Sequence, residues 1–407
     1  MIKKSFFLLT VFLLSLNTEA QNALNSEAFD IAQRFMAKKG ITLVNDDKAA
    51  TRGNAEPYSI FNGEKGKGFA IVVNGNIVGY STENTADVDN MPPALESMLD
   101  FYAKIPRKGS TRGDYNGYPP EFVPLNAKPI PYMIKTQWGQ DYPYNLMTPT
   151  INGEHCPAGC SAVALAQLLN YFRHPYVPKV VNTQPSVDMG YGITFEELPP
   201  YQFQWDKVLD KYSSEEGVDN EESVKEIATI MKYCGYMLQA CYTPTCTSAG
   251  IAYKEPDNPC LKYFDFYDAY GAFGDEIEGE LAKHIEMGIP AFCGSNGHNF
   301  LIDGRDADGL YHFNFGWDGD LDGYYIVSKE LYEKYGIAYE CMRRYSDLLF
   351  IVLHIPTKDW TTTINKVDYK PNVNESVYNL NGQYVGNSLE GLPKGIYIKD
   401  GRKVIIK

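Results

Sequence analysis

The stretch that decides the fold reads Cys156-Pro157-Ala158-Gly159-Cys160-Ser161-Ala162-Val163-Ala164-Leu165-Ala166-Gln167, continuing to Phe172. From Cys160 onward it is apolar almost all round. That predicts a helix in the middle of a core, ended by Pro175. A thiol at the first position of such a helix feels the positive end of the helix dipole, which favours the thiolate. Gly159 would let a substrate backbone approach closely. On position alone, a small core residue is the favoured reading of Cys160.

A nucleophile needs a base, and the chain holds six histidines. His298 stands out in Gly294-Ser295-Asn296-Gly297-His298-Asn299-Phe300-Leu301-Ile302-Asp303-Gly304, where glycine-rich polar residues lead into a strand. It lies 138 residues after Cys160, within the roughly 130–150 found between the partners of papain-type enzymes. Asn314, in Tyr311-His312-Phe313-Asn314-Phe315-Gly316-Trp317, could hold the imidazole through its amide oxygen, and Trp317 could shield that bond. His312 is the rival base, but between Tyr311 and Phe313 it reads as structural. Acyl transfer also needs a donor for the developing oxyanion. Gln140, in Gln137-Trp138-Gly139-Gln140-Asp141-Tyr142-Pro143-Tyr144-Asn145, can supply an amide N–H beside the backbone N–H of Cys160; Gln137 is the alternative.

Outward from these runs, the chain divides. Of its 407 residues, 44% are apolar and 14% aromatic, enough for a large core, and the net charge of −14 argues against nucleic acid or an anionic membrane as partner. Lys3 and Lys4, the mostly apolar Ser5–Leu16 and Thr18-Glu19-Ala20 read as a signal peptide over residues 1–20, cut before Gln21. No later run is long enough to span a membrane. Residues 21–107 read as a small α+β unit. A helix capped by Asn25 or Ser26 and stopped at Gly40 precedes a hairpin of 69–73 and 77–80 turning at Asn74-Gly75-Asn76, and a second helix runs from Pro93 to Ile105. Residues 108–128, rich in proline and glycine, read as a cleavable linker. Residues 129–357 form the main domain and hold all eight cysteines. Residues 358–407 read as a β-rich segment with turns at Asn381-Gly382 and Asp400-Gly401.

The four runs around Gln140, Cys160, His298 and Asn314, in that order from Trp138 to Tyr325, resemble the streptopain family of secreted bacterial cysteine peptidases. The resemblance implies a papain-like fold, preceded by an α+β propeptide that blocks the site and followed here by the short β-rich tail. It implies Cys160 as nucleophile, His298 as base, Gln140 as oxyanion donor, and Asn314 with Trp317 around the histidine. It implies protein or peptide substrates, the chain's own propeptide as intramolecular inhibitor, no cofactor, and a pocket for the second residue before the cut that would be apolar. A reducing milieu would keep Cys160 active. The chain departs from the pattern at Phe315, where tryptophan is common, at Asn299, where a small residue is common, at Ser161 and Val163, and at the extra thiol of Cys156. Gly395-Ile396-Tyr397-Ile398 with its neighbours resembles C-terminal segments of exported Bacteroidetes proteins, implying secretion or surface attachment; a binding module is the other reading.

Two stretches carry part of a metal-binding pattern. Asp318-Gly319-Asp320-Leu321-Asp322-Gly323 matches half of a calcium loop, but Lys329 stands where a bidentate glutamate is required, so a solvated acidic turn is expected. Cys241 and Cys246 have no second pair with which to hold zinc. Two rival functions remain from sequence. One is another Cys-His hydrolase, such as a cell-wall amidase or a transglutaminase-like enzyme. The other is an inactive relative serving as an adhesin or binding protein.

Overall fold

A computed structural model describes residues 26–45, 58–73, 75–104, 128–173, 183–251, 258–264, 266, 268–273, 276–295, 297–327, 349–355, 377–379, 384–386, 394–399 and 402–406. The expected leader at 1–20 and, but for Lys128, the linker at 108–128 lie outside these residues.

Helix α1 covers residues 26–38. Strands β1 (Tyr58–Asn62), β2 (Phe69–Val73) and β3 (Asn76–Ser81) follow, then helix α2 (Pro93–Lys104). The β2–β3 hairpin pairs Val73 with Asn76, where the Asn-Gly turn was expected. Two short strands, β4 (Thr150–Ile151) and β5 (Glu154–His155), lead to helix α3 (Cys160–Phe172). Every residue of α3 from Cys160 to Leu169 is buried. The helix stops at Arg173, which adopts the left-handed conformation at φ +50°; Pro175 lies outside the described residues. Helix α4 (Glu221–Met237) packs on α3. It starts at Asn220, whose side chain accepts from the N–H groups of Glu222 and Ser223.

The short pair β6 (Cys241–Tyr242) and β7 (Thr247–Ser248) comes next, then α5 (Pro259–Tyr263), β8 (Asp268–Phe273) and α6 (Ile277–Glu286). The chain then runs through β9 (Ala291–Ser295), β10 (His298–Arg305), β11 (Tyr311–Asn314), β12 (Gly323–Tyr325) and β13 (Leu349–Ile355). One nine-stranded sheet results, in the order β1-β2-β3-β12-β11-β10-β9-β13-β8.

The N-terminal strands, read from sequence as a unit of their own, thus continue the sheet of the main domain. The seam pairs Tyr80 with Tyr324 and Gly79 with Tyr325. The Tyr80 and Tyr324 rings stack at 5.4 Å. At Gly79 any Cβ would run into the Tyr325 ring, so only glycine admits that ring against the backbone.

Successive strand residues face opposite sides, and the two sides carry separate cores. Cys293, Phe300, Ile302 and Phe313 pack with α1, α2, α6 and the N-terminal strands. Phe292 and Leu301 pack with α3 and α4. The site therefore sits where the buried N-terminus of α3 meets the β9–β10 turn.

Residues 359–407 form a separate compact unit. Its strands β14 (Val377–Asn379), β15 (Tyr384–Gly386), β16 (Gly395–Lys399) and β17 (Arg402–Ile406) pair in the order β15-β14-β16-β17. Strand β15 was not foreseen from sequence. Among the described residues no helix is long and apolar enough to cross a membrane.

Candidate active site

Cys160 is the first residue of α3, and the turn before it is fixed by Gly159 at φ +92°. A Cβ on Gly159 would strike Thr247. The Thr247 hydroxyl donates to the Pro157 carbonyl at 2.7 Å. The packing of Thr247 therefore demands this glycine, a reason the sequence did not offer.

Cys160 and His298 line one cleft of about 380 Å3. They do not hydrogen-bond each other in this state. The Cys160 Sγ instead accepts from the N–H of Asn299 at 3.3 Å. Burial pushes the thiol above its ordinary range, partly offset by N–H groups of Asn299, Ser161 and Cys160 itself. His298 is buried as well. Burial lowers its pKa to about 4, against a smaller upward pull from the Phe315 carbonyl. Burial therefore disfavours the charged form of both groups, the thiolate and the imidazolium, in this state.

The His298 Nε2 lies 2.8 Å from the Phe315 carbonyl oxygen. A carbonyl only accepts, so the proton of the neutral ring sits on Nε2 and Nδ1 keeps the lone pair. Trp317 closes over the ring edge-on, with centroids 5.4 Å apart.

Asn314 corrects the expectation. Its side chain does not reach His298. Its Oδ1 accepts from Gln167 Nε2 at 2.9 Å and from the Gly316 N–H at 3.1 Å, and its Nδ2 donates to the Thr136 carbonyl at 2.8 Å. The cause is strand parity. Asn314 pairs with Leu301, on the face toward α3, whereas His298 shares the face of Phe300. The hold on the imidazole passes to a backbone oxygen one residue later.

Gln140 is tied to the nucleophile's turn, its carbonyl accepting from the Ala158 N–H at 2.8 Å. Gln137, the alternative, has its amide nitrogen on Asn84 Oδ1 at 2.7 Å. His312 lies apart from the cleft. Its Nδ1 is 2.7 Å from Asp303 Oδ1, and its ring stacks on Tyr132 at 4.3 Å. Asn299, noted in the sequence only as a departure, is part of the site: its Nδ2 donates to the Ser161 hydroxyl and, at 3.1 Å, to the Ala249 carbonyl.

The three acidic side chains of the Asp318–Asp322 loop diverge. Asp322 accepts from the Phe315 N–H and Asp320 from the Thr85 hydroxyl, while Asp318 lies against Gly139. Among the described residues no three acidic, histidine or cysteine side chains converge on a metal position. The seven described cysteines are free thiols.

The N-terminal segment grips this same loop. The Trp317 Nε1 donates to the Asn90 carbonyl at 3.0 Å and the Leu321 N–H to the Thr85 carbonyl at 2.9 Å. Asn84 Nδ2 donates to the Asp322 carbonyl at 3.1 Å.

Residues 138–325 match the Peptidase C10 family, and residues 19–105 match the Spi protease inhibitor family. Streptopain of Streptococcus pyogenes serotype M1 is 25% identical over 280 residues, covering 61% of this chain and 67% of its own length. The thiol protease/hemagglutinin PrtT of Porphyromonas gingivalis is 25% identical over 372 residues, covering 80% of this chain but 41% of that longer protein. Among solved structures, a fragment of prointerpain A from Prevotella intermedia superposes with a TM-score of 0.57 at 22% identity, covering 74% of this chain and 96% of that one.

Fold and family together define a cysteine-type peptidase with a papain-like domain behind an inhibitor-like propeptide. Over residues 138–325 the chain is a streptopain-like cysteine peptidase, preceded by an inhibitor-like segment as in a zymogen.

Proposed function

We propose that the chain is a secreted endopeptidase in which Cys160 is the nucleophile and His298 the general base and acid. The observation that carries this reading is that both line one cleft, Cys160 at a helix N-terminus and His298 at a strand mouth. The Nδ1 of His298 takes the thiol proton, and the Sγ of Cys160 bonds to the substrate's carbonyl carbon. The carbonyl oxygen becomes an oxyanion, met by the backbone N–H of Cys160 and the side-chain amide of Gln140. The tetrahedral species collapses as the C–N bond breaks, and the departing amine takes the proton back from His298. Water, deprotonated by the same imidazole, then cleaves the thioester. The Phe315 carbonyl holds the ring through Nε2–H, and Trp317 keeps water from that bond. Asn314 acts at one remove, by fixing the Phe315–Gly316 backbone.

Latency follows from the propeptide's hold on the loop over His298. Residues 21–107 serve as that inhibitor, and cutting within 108–128 releases it; residues 1–20 direct export, and 358–407 form a distinct tail.

The test is to express residues 21–407 beside a Cys160→Ala version and follow chain length and azocasein hydrolysis under reducing conditions. The wild type is expected to shorten by roughly 10 kDa, the loss of about a hundred residues at an exposed linker, and to digest casein. Casein hydrolysis by pure Cys160→Ala protein would overturn the assignment. Activity on peptidoglycan fragments but not on casein would move the chain to an amidase.

A further inference from the structure

Ser161 and Asn299 take no part in the chemistry above, yet they meet beside the nucleophile. Both are buried, at 2% and 8% exposure. The Ser161 hydroxyl donates to the Ala249 carbonyl at 2.6 Å. Asn299 Nδ2 donates to the same carbonyl at 3.1 Å and to the Ser161 hydroxyl. A carbonyl only accepts, so it fixes which way the Asn299 amide is turned and where the Ser161 hydrogen lies. The three bonds close a triangle between the first turn of α3, the start of β10 and the residue after β7.

The triangle lies one residue beyond each member of the reacting pair: Ser161 follows Cys160, and Asn299 follows His298. The backbone N–H of Asn299 donates to the Cys160 Sγ at 3.3 Å. On the other side of Cys160, the Thr247 hydroxyl holds the Pro157 carbonyl at 2.7 Å. The chain before and after the thiol is thus tied to the β6–β7 hairpin and its next residue. The Ser161–Asn299 bond ties the thiol's helix directly to the strand that begins with His298. The sequence marked both positions only as departures from the family pattern; in the fold they are partners.

We infer that Ser161 and Asn299 are a coupled positioning pair, which sets Cys160 against His298 and keeps the Asn299 N–H on the sulfur. An N–H held on sulfur favours the thiolate, the form in which Cys160 attacks. A misplacement of about 1 Å can slow a reaction about a hundredfold. Loss of the pair therefore lowers kcat and leaves KM nearly in place. Removing either partner breaks the shared bond, so removing the second adds little. Each single removal leaves the other partner bonded to Ala249, so no buried polar group of the pair is stranded. The inference rests on Cys160 and His298 being the reacting pair.

The experiment compares the full chain as wild type, Ser161→Ala, Ser161→Thr, Asn299→Ala and the double Ser161→Ala/Asn299→Ala, each processed by immobilised wild-type enzyme. A thiol-directed covalent inhibitor counts competent sites, and kcat and KM on one fluorogenic peptide are taken per counted site. Alkylation of Cys160 by iodoacetamide is followed against pH. Ser161→Ala and Asn299→Ala should each lower kcat about tenfold with little change in KM. Each should also move the rise in alkylation about one pH unit higher, the shift that matches a tenfold loss of thiolate. Ser161→Thr keeps the hydroxyl and should recover most of the rate. The double variant should lose about as much as the worse single one. Losses that multiply in the double variant, or a kcat and an alkylation profile unmoved by both single substitutions, overturn the inference while leaving Cys160 in place. Fewer counted sites with a normal rate per site would mean that the pair serves folding alone, which also overturns it. If the wild type itself shows no titratable thiol, the active-site assignment falls, and the positioning pair with it.

Discussion

At the residue scale, the division of labour around Cys160 turns on groups that side-chain patterns only half reveal. That Cys160 and His298 meet at one cleft was legible from two runs taken together: a thiol opening a buried helix, and a histidine leading a strand after glycine. The group that holds His298 was not legible. It is the carbonyl of Phe315, and backbone oxygens leave no mark in a sequence, so the nearby amide of Asn314 looked like the candidate. Gln140→Ala is expected to lower kcat by about 10²–10³ while KM changes little, as befits a donor used only in the transition state; steady-state kinetics on one fluorogenic peptide checks it. The thiol offers a second test. With burial holding Cys160 neutral in the latent form, iodoacetamide should label it slowly at pH 7 and faster as pH rises. After processing, labelling at pH 7 should be at least tenfold faster, from an ion pair no longer suppressed. Equal rates before and after would mean that burial does not suppress the thiolate in the latent form.

At the element scale, the loop from Trp317 to Asp322 is where propeptide and site communicate. It covers His298 through Trp317 and is held by the Asn84, Thr85 and Asn90 segment. Asn84 bonds Gln137 on one side and the Asp322 carbonyl on the other. Asn84→Ala removes both bonds, each worth about 1 kcal/mol, and should speed self-processing about tenfold, read as the rate of band shift on gels. An unchanged rate would mean that the grip on this loop does not limit activation. Helices α2 and α3 and the β2–β3 hairpin could be read from local periodicity and turn residues. The seam between β3 and β12 could not. Tyr80 and Tyr324 are far apart in the chain, and neither strand carries a local signal of its partner.

At the scale of the whole molecule, the continuous sheet makes propeptide and peptidase one body against acid and base. His298 has a folded pKa near 4, below its unfolded value of 6.5. The unfolded chain therefore binds the extra proton first, and stability is lost as pH falls from about 6.5 toward 4. Asp322 works in the opposite sense. Burial first, then nearby Asp303 and Asp320, raise it from 3.8 to about 7, against the Phe315 N–H and His312. Its unfolded form ionises first on the way up, so its contribution falls as pH climbs from about 4 to 7. In the processing-dead Cys160→Ala zymogen the two slopes therefore oppose each other, and this pair should leave Tm nearly level between about pH 4 and 6.5. Adding Asp322→Asn, which keeps the oxygen that accepts from Phe315, should raise Tm by roughly 4 °C at pH 8 and hardly at all at pH 4. A flat difference across pH would remove Asp322 from the account.

The same seam has a cost that appears only on maturation. While β3 is present, β12 lies inside a closed ladder. When the propeptide leaves, β12 becomes a boundary with unpaired N–H and C=O groups, the kind of surface on which a second chain can add a strand. Its brevity, three residues from Gly323 to Tyr325, limits how long a mistaken ladder can grow, so brevity there protects the mature enzyme from self-association.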